Sequence, residues 1–94
     1  MEQAGGDFKK EVEKWKTWVW HALDAAVGAA KECDLDALLH QIEIAEWIRS
    51  AKRPRPESAD ELRILALALD ETLDMTHNMR REIVRILREK CGCR

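Results

Sequence analysis

The sequence is poor in the residues that mark turns and β-structure. Its 94 residues include four Gly, two Pro, one Phe and no Tyr. So little turn chemistry excludes a turn-rich β-sandwich. No stretch approaches the roughly 20 consecutive apolar residues that cross a bilayer, and residues 1–7 are acidic, without the apolar run of a secretory signal. The sequence therefore predicts no membrane partner.

Signatures of enzymes and metal sites are also missing. The chain has no glycine-rich phosphate loop, no nucleophile elbow and no His-Glu-x-x-His pair. A nucleophilic pair of Cys33 with His40 lacks a third group to orient the histidine. Cys91 and Cys93 are separated by one residue, which does not fit the usual spacing of zinc ligands. We therefore expect no catalytic residues, no metal and no cofactor.

Three cysteines are an odd number: Cys33, Cys91 and Cys93. The last two flank a single glycine close to the C-terminus. This pattern predicts free thiols in a reducing compartment, and hence a cytoplasmic protein (in the host cytoplasm if the protein is viral).

What the chain does contain favours helices. Ala, Leu, Glu, Lys and Arg dominate, and 46% of the residues are apolar, which excludes wholesale disorder. Apolar periodicity and capping residues predict an all-α fold with three helices, at about 7–32, 34–51 and 58–91. Asp7, Asp34 and Ser58 are the predicted N-caps. Residues 1–6 are a predicted flexible leader, 7–91 a single domain and 92–94 a tail.

The second and third predicted helices carry extended apolar patterns. In the second, Leu35 and Ile44 point in roughly opposite directions, which is typical of a helix buried between two neighbours. The third shows a sustained 4-3 spacing, typical of a bundle core. Its members are Leu62, Ala66, Leu69, Leu73, Thr76, Arg80, Ile83 and Leu87.

The length of the third helix predicts a homodimer. About 33 residues make a helix roughly 50 Å long, whereas a compact chain of this size is only about 30–35 Å across. The helix would overhang, and a second copy would cover its end and complete the helical bundle. The predicted dimer interface comprises Trp18, Trp20, Trp47, Ile83 and Leu87.

Arg80 occupies a core position of the 4-3 pattern, where a charge is costly unless it is paired. Two explanations stay open. Arg80 forms an ion pair with an acid such as Asp74, or with one across the dimer. Alternatively, the bundle opens at this level and Arg80 faces a ligand.

Charge is unevenly distributed along the chain. Residues 1–48 carry 5 basic and 10 acidic residues, whereas residues 49–94 carry 11 and 8. Arg81, Arg85 and Arg88 share one helix face, which can either follow the phosphates of a duplex or form a solvated helix end that favours the macrodipole. The predicted RNA-binding set is Arg80, Arg81, Arg85, Arg88 and Lys90, with Lys52, Arg53 and Arg55 as a flank.

Two segments resemble a known family. The run His21-Ala22-Leu23-Asp24-Ala25-Ala26-Val27-Gly28, and the run from Met79 to Lys90, resemble the small RNA-silencing suppressor proteins of insect nodaviruses. The resemblance covers about a fifth of the chain, and this chain has an additional helix between the two segments. It implies an all-α homodimer that lays a helical face along double-stranded RNA without reading sequence, with phosphate contacts from Arg80 or Arg81 and from Lys90.

The leading hypothesis is therefore a non-enzymatic protein that binds double-stranded RNA and suppresses host RNA silencing by shielding long duplexes and small interfering RNA. The rival hypothesis is a small phage or bacterial helical inhibitor or adaptor. Such a protein would bind a regulatory protein through exposed tryptophan and apolar surface.

Overall fold

The computed structural model describes residues 3–91, which form three helices and a final π-helical turn. Helix α1 spans Gln3–Lys31, α2 spans Leu35–Ala51 and α3 spans Ala59–Ile86, followed by the π turn Leu87–Cys91. The all-α prediction is confirmed. The molecule is elongated, with principal extents of 58 × 18 × 15 Å. None of the described helices is long and apolar enough to cross a membrane.

The start of α1 differs from the sequence prediction. The helix begins at Gln3, so residues 3–6 of the predicted leader are helical and Asp7 lies inside the helix rather than at its N-cap. At the other end of the chain, the predicted tail 92–94, including Cys93, lies outside the described residues.

One tight connection ends α1 and begins α2. Cys33 adopts a left-handed backbone conformation with φ of 57°. Its N–H donates to Ala30 O at 3.0 Å, and the N–H of Asp34 donates to Ala29 O at 3.0 Å. This is the hydrogen-bond pattern of a Schellman motif. Asp34 then caps α2, because its carboxylate accepts from the N–H of Ala37 at 3.1 Å, as predicted.

Ser58 caps α3, also as predicted. Its hydroxyl accepts from the N–H of Glu61 at 3.1 Å. The Glu61 carboxylate reaches back to the N–H of Glu57 at 2.8 Å, one residue earlier than in the standard capping box. The N–H groups of Glu57 and Glu61 at the start of α3 therefore have hydrogen-bond acceptors, although no preceding helical turn supplies them.

Helix α1 is the shared core element, and both other helices pack against it. α3 runs parallel to α1, and α2 runs antiparallel to both. Trp15, which is 1% exposed, donates its indole N–H to Ile48 O of α2 at 2.8 Å. Lys16 Nζ lies 2.6 Å from Glu71 Oε1 of α3. The hydrogen bond that Lys16 donates to Glu71 raises the pKa of Lys16, so this link persists until the pH exceeds the ordinary lysine range.

The end of α3 packs within the chain, which corrects the basis of the dimer prediction. Ile83 and Ile86 are each 4% exposed and contact Ala26, Ala30 and Leu38. Leu87 packs partly against the same cluster. Because α1 is as long as α3, the third helix does not overhang. Ile83 is therefore a residue of this chain's own core rather than of a dimer interface.

The buried face of α3 coincides only in part with the predicted 4-3 stripe, of which Thr76 and Ile83 are buried. The buried residues include Leu65, Ala68 and Thr72, whereas Leu62 is 57% and Leu73 40% exposed. The centre of the buried face is rotated by about 70° from that of the predicted one, counting about 100° per residue. The small side chains at 68 and 72 lie on the buried side of α3. The Thr72 hydroxyl donates to Leu69 O at 3.0 Å, so it carries no unsatisfied donor.

The prediction that α2 is buried between two neighbours is wrong. Leu38 and Ala45 are buried against α1, whereas Leu35 and Leu39 are 57% and 58% exposed. α2 thus buries a single side, to which Ile44 and Ile48 also contribute, while the opposite edge with Leu35 and Leu39 lies at the surface.

A disulfide joins the ends of α1 and α3, which corrects the prediction of free thiols. Cys33 and Cys91 are bonded across 58 positions of sequence. The bridge removes the support that free thiols gave to a reducing, cytoplasmic compartment. It also removes the thiolate that a Cys33–His40 nucleophilic pair would need.

The π turn explains how Cys91 reaches the bridge. A continuous α-helix would bring Lys90, seven residues after Ile83 and four after Ile86, to the side that faces α1. A π turn holds one more residue. Cys91 therefore takes that place and is half-buried, while Lys90 is exposed.

We predict that Cys91→Ser lowers the free energy of unfolding by about 4 kcal/mol, because the bridge closes a long loop in the unfolded chain. Urea denaturation of the oxidised protein measures the change, and the reduced wild-type protein should match the variant. Cys93→Ser is the control and should leave the midpoint unchanged. An equal loss in both serine variants would contradict the Cys33–Cys91 pairing.

Candidate functional site

Three arginines form a cationic surface on the C-terminal half of α3 and the π turn that follows it, which we call the arginine face: Arg81, Arg85 and Arg88. All three are exposed and lie together on one side of the helix, as their spacing predicts. Together with Arg80, Val84 and Glu89, they line a shallow open depression. The face points about 160° away from the buried side of α3, so neither α1 nor α2 covers it.

Neighbouring carboxylates neutralise one of these arginines. Arg85 donates to Glu82 through two nitrogens and to Glu89 Oε1 at 2.9 Å. The hydrogen bond from Arg85 lowers the pKa of Glu82, so the pair is lost only as the pH falls through that lowered value. Arg85 therefore contributes less positive charge to the face at neutral pH than its position implies.

The remaining cations of this region are available for a ligand. Among the described residues, Arg80, Arg81 and Arg88 form no ion pair. Arg80 is exposed, so it lies neither in the chain's core nor in a pair with Asp74. Lys90 is exposed on the π turn. The structure thus brings four of the five predicted α3 contacts to the surface without neutralising them.

The predicted flank of Lys52, Arg53 and Arg55 lies near the N-terminal end of α3, far from the arginine face. Lys52 and Arg55 line a groove with Phe8 and Trp18, beside the start of α1 and near Glu61. From Glu61 to Arg80 is 19 residues of helix, roughly 28 Å. Within one chain, Lys52, Arg53 and Arg55 therefore do not extend the arginine face. Lys52 instead lies over the ring of Trp47, 5.1 Å from its centroid.

A second surface feature was not predicted: an exposed apolar line along α3, which we call the α3 stripe. It consists of Leu62, Ala66, Leu69, Leu73 and Val84, and it continues through Arg80; Leu69, at its edge, is half-buried and packs partly on the core. These side chains fall within about 60° of arc. Except for Val84, they are positions that sequence reasoning assigned to the core. The signal was therefore visible in the sequence, but its location was misread.

Other large apolar side chains are exposed on α1 and α2. Trp18, Trp20 and Trp47 are 49%, 41% and 55% exposed, so these three predicted interface residues are available to a partner. Trp20 packs edge-on against His21 at 5.5 Å. Within residues 3–91, no group of three or more His, Cys, Asp or Glu side chains is placed to hold a metal ion.

Comparisons of this chain with protein-family models, with curated proteins and with solved structures return no match. The chemistry of the surface therefore carries the functional argument.

Proposed function

We propose that this protein is a non-enzymatic, double-stranded-RNA-binding suppressor of host RNA silencing that acts as a homodimer. The arginine face carries the proposal, because Arg81 and Arg88, with Arg80 beside them, are exposed cations on a helix surface that the rest of the chain leaves open. Phosphate groups are the ligands that such a surface attracts most strongly.

The local charge supports a polyanionic partner better than the net charge does. The whole chain has a net charge of −2. From Met75 to Cys91, however, five basic residues face two acidic ones, a net charge of +3 over 17 residues. The acidic residues of the chain are concentrated elsewhere, mainly before residue 75. Binding would therefore be confined to one surface and would depend strongly on salt.

The shape of the surface is better suited to an RNA duplex than to a small anion, which would need an enclosed pocket. The depression along the arginine face is shallow, and it runs from the last turns of α3 into the π turn. A-form RNA is recognised mainly through phosphates and 2′-hydroxyl groups rather than base edges. Arginines on a rigid helix can contact such a backbone without reading its sequence. The resemblance to the nodavirus suppressors points in the same direction.

The rival function has its own observation in its favour. Leu35 and Leu39 are adjacent on the outer side of α2, and Trp20 and Trp47 are exposed on α1 and α2. Large apolar side chains at a surface are typical anchors of protein interfaces. An adaptor of this kind would lose its partner on Leu35→Asp, whereas the RNA-binding protein would bind duplexes as before.

Gel-shift titration with a mixed-sequence RNA duplex of about 25 base pairs tests the proposal, since known duplex-binding modules span about 16. We expect binding that weakens steeply with salt, that exceeds binding to single strands, and that protects the duplex from a Dicer-type ribonuclease. Equal binding to heparin, or no binding at low salt, would reject it.

We predict that Arg81→Glu and Arg88→Glu each weaken duplex binding roughly tenfold and reduce the salt dependence, because each removes a phosphate contact. Lys9→Glu is the matched control: it makes the same charge change at an exposed site near the start of α1. An equal loss in the control would show that net charge alone governs binding.

We also predict that the double variant Glu82→Gln, Glu89→Gln tightens duplex binding several-fold, since it frees Arg85 from both carboxylates. The fold should survive, because exposed pairs of this kind contribute little stability. The double variant Glu43→Gln, Glu46→Gln on α2 removes the same charge from exposed sites elsewhere. Equal tightening in both would contradict a role for Arg85.

A further inference from the structure

We propose that a second copy of this chain docks along the α3 stripe in antiparallel orientation, with Arg80 of each copy paired to Asp70 of the other. This inference rests on the homodimer in the proposed function and adds its surface and direction. It moves the principal interface from the predicted tryptophans to the stripe.

The stripe has the spacing of a helix-pairing surface. From Leu62 to Leu73 its members follow one another at intervals of four, three and four residues, and Arg80 and Val84 follow after seven and four more. This spacing keeps the heptad phase by which one helix packs its knobs into the holes of another. Leu62 and Leu73 are 57% and 40% exposed, and Val84 is 46% exposed. The line extends along most of α3, so its natural complement is another long helix rather than a compact pocket.

Charge along α3 specifies both the partner and its direction. From Ala59 to Asp74 the helix carries five acidic residues and one basic residue, a net charge of −4. From Met75 to Cys91 it carries +3. An antiparallel second copy places each acidic half beside a basic half. A parallel copy would place like charges side by side, which is destabilising.

Arg80 lies within the stripe and needs a partner when the stripe is covered. The stripe from Leu62 to Val84 has its midpoint at Leu73. In an antiparallel pair centred there, Arg80 lies opposite Ala66 of the second copy, one helical turn from Asp70. A centre two residues further along, at Met75, places Arg80 directly opposite Asp70. Asp70 is exposed and, like Arg80, forms no ion pair among the described residues. Twofold symmetry makes this pair twice.

The remaining elements leave room for this arrangement. On α3, the stripe lies about 100° from the side that packs on α1 and about 90° from the arginine face. Docking therefore covers neither. Twofold symmetry places both arginine faces on the same side of the dimer, with their centres roughly 30 Å apart along the helices. The antiparallel arrangement also brings Lys52, Arg53 and Arg55 of each copy to the same end of the dimer as the arginine face of the other copy.

Charge reversal tests the orientation by sedimentation equilibrium of the oxidised protein without RNA. Asp70→Arg and Arg80→Asp should each weaken self-association roughly tenfold, because each replaces two attractions with two repulsions. The double variant should restore it. A parallel pair would respond little to any of the three, and that result would overturn the proposal.

An apolar test complements the charge test. Leu73→Asp, near the centre of the stripe, should weaken self-association at least a hundredfold. Leu67→Asp is the matched control, because Leu67 is 64% exposed on the same helix but about 140° around it from Leu62. Circular dichroism should show both variants folded. Loss of the dimer in the control, or a monomeric wild-type protein, would also overturn the proposal.

The two proposals fail separately. If the charge-reversal variants behave as expected but the protein does not bind duplex RNA, the proposed dimer interface stands and the RNA-binding proposal is rejected. A monomer that binds duplexes through the arginine face would do the opposite.

Discussion

The packing of both other helices on α1 is the constraint from which the rest of the structure follows. α1 supplies nine of the fifteen buried apolar residues, including Trp15 and Leu23, so it forms the centre of the core. α2 and α3 each need bury only the one side that meets it. Their other sides are free to carry apolar or charged residues, because the core does not require them.

This arrangement explains why so much apolar surface accompanies a well-packed interior. Two small clusters fill the contact with α1 from Phe8 to Ala30. Leu62 and Leu73 of the α3 stripe and the outer leucines of α2 lie outside both clusters. None of the described helices covers them, and apolar surface of this kind is typical of sites where proteins meet a partner. The disulfide and the π turn lie at the C-terminal ends of α1 and α3, where they hold the two parallel helices in register.

The charges are arranged around the same geometry. The N-terminal half of α3 is acidic and its C-terminal half is basic, so charge changes along the helix axis rather than around it. The arginine face lies on the side of α3 that points away from α1. Glu82 and Glu89 neutralise Arg85, so the strongest free positive potential comes from the neighbours of Arg85 rather than from the centre of the row. A ligand that depends on phosphate contacts would read this local pattern and not the net charge of the chain.

The caps and helices were predictable from sequence because they depend on residues a few positions apart. Asp34 and Ser58 act where their side chains can reach the next amides. The buried face of α3 was not predictable in the same way. Its 4-3 line of leucines looked more like a core than the mixed line of Leu65, Ala68 and Thr72, and only the close approach of α1 favours the smaller side chains. The arginine face depends on helix phase alone, and so its position was predicted correctly.

The sequence by itself thus determined which segments are helical, where α2 and α3 begin and which arginines share a side, since all of these follow from local hydrogen bonding and a fixed turn of about 100° per residue. The tertiary structure decided which apolar line is buried, that Cys33 meets Cys91 and that Arg85 lies apart from the flank at residues 52–55. These depend on how helices pack over long separations in sequence, where shape and distance decide between surfaces that look equally apolar in the chain.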